Sequence, residues 1–118
     1  MSALRGKLII LDFWASWCQP CTKTLPWLDE LAVRLADRDV VLLAISLDRT
    51  EKAAREYAAA HGLSTNSVLY GSLDEARGVK DLYGVVGIPR TFLIDRDGFV
   101  RFSGGPLGVT EDLVAPWL

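Results

Sequence analysis

The chain is poor in the residues that build metal centres. Its 118 residues include two cysteines, Cys18 and Cys21, and one histidine, His61. A structural zinc site takes about four nitrogen or sulfur ligands, so these three residues, with His61 far along the chain, do not supply one. Long apolar runs are missing too. No window approaches the roughly 20 residues of a membrane span, and the run from Leu8 to Leu11 is too short for the apolar stretch of a signal peptide. Neither charge sign is in excess: 13 Lys and Arg stand against 15 Asp and Glu, for a net charge of -2. That balance gives no electrostatic footprint for nucleic acid, and with 50% of the residues hydrophobic it argues against disorder. There is no internal repeat, linker or low-complexity tract. A length of 118 residues suffices for one domain, residues 1–118, with a core of its own but not for two.

What the chain has is a concentrated stretch from Leu8 to Cys21, Leu-Ile-Ile-Leu-Asp-Phe-Trp-Ala-Ser-Trp-Cys-Gln-Pro-Cys. Four aliphatics, one carboxylate, then Phe13 and Trp14 read as a short strand covered on both faces, because such strands lose polar alternation. After Cys21 the spacing changes. Leu25, Leu28, Leu31, Ala32 and Leu35 recur at helical steps and form one apolar helical face. The cysteines therefore fall where a strand hands over to a helix. Unpaired N–H groups and about half a positive charge at a helix N-terminus stabilise a thiolate there. Cys18 is expected to be the more exposed thiol, and Cys21 to lie one turn inside the helix, in reach of a mixed disulfide on its partner. A lowered thiol pKa and a resolving neighbour make a dithiol redox pair. Two blander readings compete: two unrelated buried thiols, or a structural disulfide, although a loop this short gains only about 2 kcal/mol in the chain-entropy model.

Asp12 is a carboxylate inside an otherwise apolar strand. Desolvation there raises its pKa, which suits a proton acceptor for Cys21 when that thiol must become a nucleophile. A strand-end aspartate bonded to backbone is the alternative. Along the rest of the chain, Asp39 to Leu47 reads as a second buried strand, and Asp48 with Glu51 three residues later reads as a helix start. Ala54, Tyr57 and Ala58 form that helix's inward face until Gly62 stops it. A strand near Ser67 to Tyr70 and a helix from Asp74 to Tyr83, closed by Gly84, follow. Phe92 to Ile94 is a strand, Arg96-Asp97-Gly98 a turn, and Phe99 to Ser103 its hairpin partner. A loop over Gly104 to Gly108 precedes a last helix begun by Thr110 with Glu111 and Asp112. Pro26 is expected to kink the first helix. Trp14, Trp27 and Trp117 read as packing residues, and His61 as a helix-closing residue held by the helix dipole. Strands alternating with helices, then a hairpin, imply an α/β fold with a mixed central sheet flanked by helices on both faces.

The segment Asp12-Phe13-Trp14-Ala15-Ser16-Trp17-Cys18-Gln19-Pro20-Cys21 resembles the active-site segment of thioredoxin-fold proteins. With Pro26 and Gly87-Ile88-Pro89 followed by Thr91-Phe92-Leu93-Ile94-Asp95, the longer pattern is similar to the TlpA/ResA-like branch of periplasmic or membrane-anchored thiol-disulfide oxidoreductases, which includes the cytochrome c maturation reductases. The resemblance implies a thioredoxin fold with an inserted strand and helix, roughly Thr50 to Tyr83. It implies Cys18 as nucleophile, Cys21 as resolving thiol and Asp12 as proton acceptor, although the reductase branch often carries an amide at that position. It implies a cis Pro89 that leaves the Ile88 backbone free to pair with an extended substrate segment, as in strand addition. Trp17 would add a flat contact surface. Between the cysteines, Pro20 stiffens the turn and uncharged Gln19 leans the pair to the reducing side. Arg90 departs from the small hydroxyl residue expected after the proline, and reads as a solvated strand-start arginine.

In that branch a hairpin, and often an anchor, precede the position of Gly6-Lys7. A segment trimmed from a longer extracytoplasmic protein is therefore expected, with a short cytoplasmic protein as the alternative; a catalytic pair occurs in either compartment. The expectation is a monomeric thiol-disulfide oxidoreductase that reduces protein disulfides and is recharged by an upstream dithiol electron donor. No metal, organic cofactor, nucleic-acid partner or membrane contact by this segment is expected. The competing class is a thioredoxin-like binding or redox-sensing module without turnover. A copper carrier of this fold would have three residues between its cysteines, and a peroxidase would have no neighbouring cysteine, so neither fits.

Overall fold

A computed structural model describes residues 6–61, 68–69, 78, 81–85 and 87–118. Strand β1 (Leu8–Trp14) lies at the centre of a five-stranded sheet. It pairs in parallel with β2 (Val40–Ser46), in a register that sets Leu8 beside Val40 and Trp14 beside Ser46. On its other side it pairs antiparallel with β4 (Arg90–Ile94), which places Asp12 opposite Thr91. The sheet is closed at one edge by the two-residue β3 (Val68–Leu69), parallel to β2, and at the other by β5 (Val100–Gly104), antiparallel to β4. The sheet is thus mixed, as the alternation of elements implies.

Every residue of β1 is buried, which is what its continuous apolar run requires, and its side chains alternate between two cores. Leu8, Ile10 and Trp14 face helix α1 (Gln19–Arg34) and meet Cys21, Leu25, Leu28 and Leu31. Ala54 and Ala58 of helix α2 (Glu51–Ala60) and Val114 of the four-residue α3 (Glu111–Val114) join the same core. Ile9, Leu11 and Phe13 point the other way, to Phe92, Ile94 and Val85, with Tyr83 against them. Described helical residues 81 and 82 lead into that second cover, and Gly84 follows at φ +66, the left-handed geometry that glycine adopts freely when it ends a helix. Most of the helix expected over Asp74 to Tyr83, and the Gly62 stop of α2, lie outside the described residues. Among the described residues no helix is long and apolar enough to cross a membrane.

Two local expectations change. Asp48 does not start α2. Thr50 caps it instead, its hydroxyl accepting from the Ala53 N–H at 3.2 Å, since a side chain at the N-cap reaches the third helical residue and one two positions earlier does not. The second strand also begins one residue late, because Asp39 adopts the left-handed region at φ 58, where aspartate is better tolerated than most side chains.

Helix α1 runs through Pro26. A proline has no N–H, so the carbonyl four residues earlier, that of Thr22, loses its helical donor. The Tyr57 hydroxyl of α2 donates to it at 3.3 Å. Tyr57 is itself packed between the Trp14 indole, at 5.5 Å between centroids, and the stacked His61 ring, at 3.9 Å. His61 closes α2, with Nδ1 3.0 Å from the Tyr57 carbonyl.

Candidate active site

Cys18 is the N-cap of α1, and Gln19 and Pro20 open the helix with Cys21 a turn further on. A backbone turn closed by the Cys18 N–H on the Ala15 carbonyl, at 3.1 Å, presents Cys18, whose own carbonyl accepts from Thr22. The two cysteines form a disulfide, their Cα atoms 5.2 Å apart. Cys18 Sγ also lies 3.4 Å from the Cys21 N–H, one of the orphan donors of the first turn. No acidic residue occupies that turn, so nothing on the helix itself opposes negative charge at Cys18. Cys18 retains 7% exposure and Cys21 none, the order expected of attacking and resolving thiols.

The Ile88–Pro89 peptide bond is cis. Its loop reaches the sulfurs, with the Ile88 carbonyl 4.0 Å from Cys18 Sγ. Ile88 and Pro89 are both half-buried. Trp17, one residue before Cys18, is 67% exposed, and Gln19 and Pro20 are exposed beside it. Arg90 shares the face of β4 opposite to Thr91: its guanidinium sits 5.8 Å from the centre of the Phe92 ring and donates to Ser103 Oγ at 2.5 Å. Its packing is on the sheet, as a strand-start arginine, and not toward the sulfurs.

Asp12 is fully buried. By strand alternation it shares the face of Ile10 and Trp14, the face that packs α1 and Cys21. Thr91 Oγ1 donates to its Oδ1 at 2.8 Å, while Oδ2 has no hydrogen-bond partner among the described residues. Burial pushes the carboxyl up from the ordinary 3.8 to about 7, and the Thr91 hydrogen bond offsets only part of that rise. A carboxyl that titrates near neutrality on the face that packs α1 can take up or return a proton.

One group at this end of the sheet was not legible as part of the site. Asp48, 5% exposed at the end of β2, accepts from the Ser16 N–H with both oxygens at 3.1 Å and from Ser16 Oγ at 2.6 Å. Ser46 Oγ donates to its other oxygen at 2.6 Å. The signal was indirect: parallel neighbours β1 and β2 end side by side, so the loops leaving them meet at the carboxyl end of the sheet.

The AhpC/TSA family model matches residues 1–103. The chain is 34% identical over 97 residues to the thiol-disulfide oxidoreductase ResA of Bacillus anthracis, an overlap of 82% of this chain and 54% of that protein. It thus spans about half the length of the curated relatives it matches. Among solved structures, a protein of Chlorobium tepidum assigned as the thiol:disulfide interchange protein DsbE superposes with a TM-score of 0.76 at 31% identity, covering 88% of this chain and 71% of that one. A Bacteroides vulgatus protein assigned as a thiol-disulfide oxidoreductase superposes with a TM-score of 0.75 at 33% identity, covering 98% and 74%. A mixed sheet of this order, a disulfide at the tip of α1 and these relatives agree: the chain belongs to the AhpC/TSA family and has the thioredoxin fold of the thiol-disulfide oxidoreductases it resembles.

Proposed function

We propose that this chain is the catalytic domain of an extracytoplasmic reductase of protein disulfides. The observation that carries the reading is the Cys18–Cys21 pair at a helix N-terminus with the cis-proline loop against it. In the reduced protein the Cys18 thiolate attacks one sulfur of a substrate disulfide. The other substrate sulfur leaves as a thiolate and is protonated. Cys21 gives its proton to the Asp12 carboxylate and attacks Cys18 Sγ, which closes the Cys18–Cys21 disulfide and releases the substrate as a dithiol. Two electrons pass to the substrate, and an upstream dithiol donor returns them. Exposed Trp17 and the Ile88 backbone are the contacts offered to an extended substrate segment. This chemistry uses sulfur alone, and we assign it no metal or organic cofactor. Extracytoplasmic thiol proteins such as apo-cytochromes are the proposed clients, and the domain acts as a monomer.

Turnover tests the proposal. The reduced protein is expected to reduce the disulfides of insulin, Cys18→Ser to fall to background, and Cys21→Ser to accumulate a mixed disulfide. A Cys18→Ser variant as active as the parent refutes the reductase, and a parent without turnover leaves a sensing module. Equilibration with glutathione separates the directions, a pair that stays oxidised in excess reduced glutathione being a reductant.

A further inference from the structure

We infer that Asp48 is a positioning residue for the dithiol, clamping the turn that carries Cys18 through Ser16. The inference rests on the dithiol reading above. The turn from Ala15 to Cys18 has one internal hydrogen bond, Cys18 N–H to Ala15 carbonyl. Four residues with a single closing bond do not fix where the last one points, and Trp17 within the turn is 67% exposed and anchored by little packing. What holds the turn lies 32 residues away: both Asp48 oxygens face the Ser16 N–H, and one also accepts from the Ser16 hydroxyl. Asp48 is held in turn. Ser46 Oγ donates to its second oxygen at 2.6 Å and lies 3.0 Å from the Asp48 N–H, and Ser46 sits beside Trp14 in the parallel register.

A charged acceptor binds such donors more strongly than a neutral one. Held this way, Ser16 ties the segment after β1 to the end of β2, two residues ahead of the attacking sulfur. None of these bonds involves a reacting atom, so the clamp acts through geometry. Misplacing a reacting group by about an ångström costs up to roughly a hundredfold in rate.

The full chain tests this through Asp48→Ala, Asp48→Asn and Ser16→Ala, with Thr24→Ala as a helix control. Insulin reduction and the rate at which iodoacetamide alkylates reduced Cys18 are measured on each. Asp48→Ala is expected to lower kcat/KM by about tenfold or more, chiefly through kcat, and to change Cys18 alkylation. Asp48→Asn keeps an acceptor for Ser16 and is expected to restore the rate to within about threefold of the parent, a rescue that loss of charge alone would not give. Ser16→Ala falls between the two. Parent-like rates and alkylation in folded Asp48→Ala overturn the proposal, and so does an Asp48→Asn variant as impaired as Asp48→Ala. If Asp48→Ala does not fold, Ser16→Ala decides alone, and a parent-like value there overturns it. Alkylation reads the placement of the sulfur even in a protein that reduces no insulin, so failure of the reductase reading stays distinct from failure of the clamp.

Discussion

Asp12, within β1, and Asp95, one residue past the end of the neighbouring β4, both have little solvent exposure, and their surroundings treat the carboxylate in opposite ways. Asp95 accepts from the Asp97 and Phe99 N–H groups at 3.0 and 2.9 Å and from Arg101 Nε at 2.6 Å. The Arg101 hydrogen bond, followed by those of the backbone, holds its carboxyl below the usual range. Among the described residues Asp12 has one donor, Thr91, and no partner for its second oxygen, and its carboxyl rises to about 7. Desolvation raises both, but at Asp12, deep in the sheet, it is the larger influence, whereas at Asp95 the donors, Arg101 first, outweigh it. The turn between β4 and β5 supplies them, because a tight turn has spare N–H groups, whereas the middle of β1 has already given its own to β2 and β4. An acid short of donors on the face that packs α1 suits the proton transfer proposed above, and an acid saturated with them is a turn staple.

The contrast is open to direct attack. The largest expected effect is at Asp12, where Asp12→Asn slows resolution of the mixed disulfide at neutral pH by about a hundredfold, the scale of a lost general base; an unchanged rate in stopped-flow measurements would return Asp12 to a structural role. The same variant gains stability. Below pH 3.8 the parent's carboxyl is neutral whether folded or not. Between 3.8 and about 7 the folded protein keeps a proton that the unfolded chain has lost, so stability falls as pH rises through this window. The amide is free of that cost, so denaturant unfolding at pH 8 is expected to show a gain of up to about 4 kcal/mol that vanishes near pH 3.

Asp95→Asn is expected to do the reverse. It lowers the thermal midpoint at neutral pH by several degrees, and the deficit shrinks in acid as the parent's own carboxylate is protonated, because a depressed pKa stabilises only above it. Equal signs for the two variants at pH 8 would break the comparison. Thr91→Val takes the one donor from Asp12 and should push its pKa above 7, read from the carboxyl resonance in an NMR titration, at a stability cost of about 1 kcal/mol. The smallest effect is expected for Arg101→Met, which lets the Asp95 pKa climb toward the ordinary value while the two backbone donors keep it from arriving there.

What the sequence disclosed tracks the range of the forces involved. The buried central strand, the amphipathic helix and the cysteines between them are written in neighbouring residues, and the burial of Asp12 follows from the apolar run around it. The partners of these groups are not local. Asp48 carries the same chemistry whether it caps a helix three residues on or clasps Ser16 from 32 residues away, and only the parallel register chooses between them. Thr91 is likewise an unremarked strand residue until pairing sets it opposite Asp12. Arg90, read from sequence as a solvated strand-start arginine, packs on the face opposite Thr91 because side chains in a strand alternate.

The Tyr57 hydroxyl on the Thr22 carbonyl has a reach beyond its one hydrogen bond. A proline in the redox helix breaks its chain of amides one turn after the cysteines, and the repair comes from a different helix. The sulfur-bearing end of α1 is therefore moored to α2, and losing a single oxygen at position 57 would slacken it. Where the first helix sits is thus partly written in its neighbour, outside the segment that holds the sulfurs.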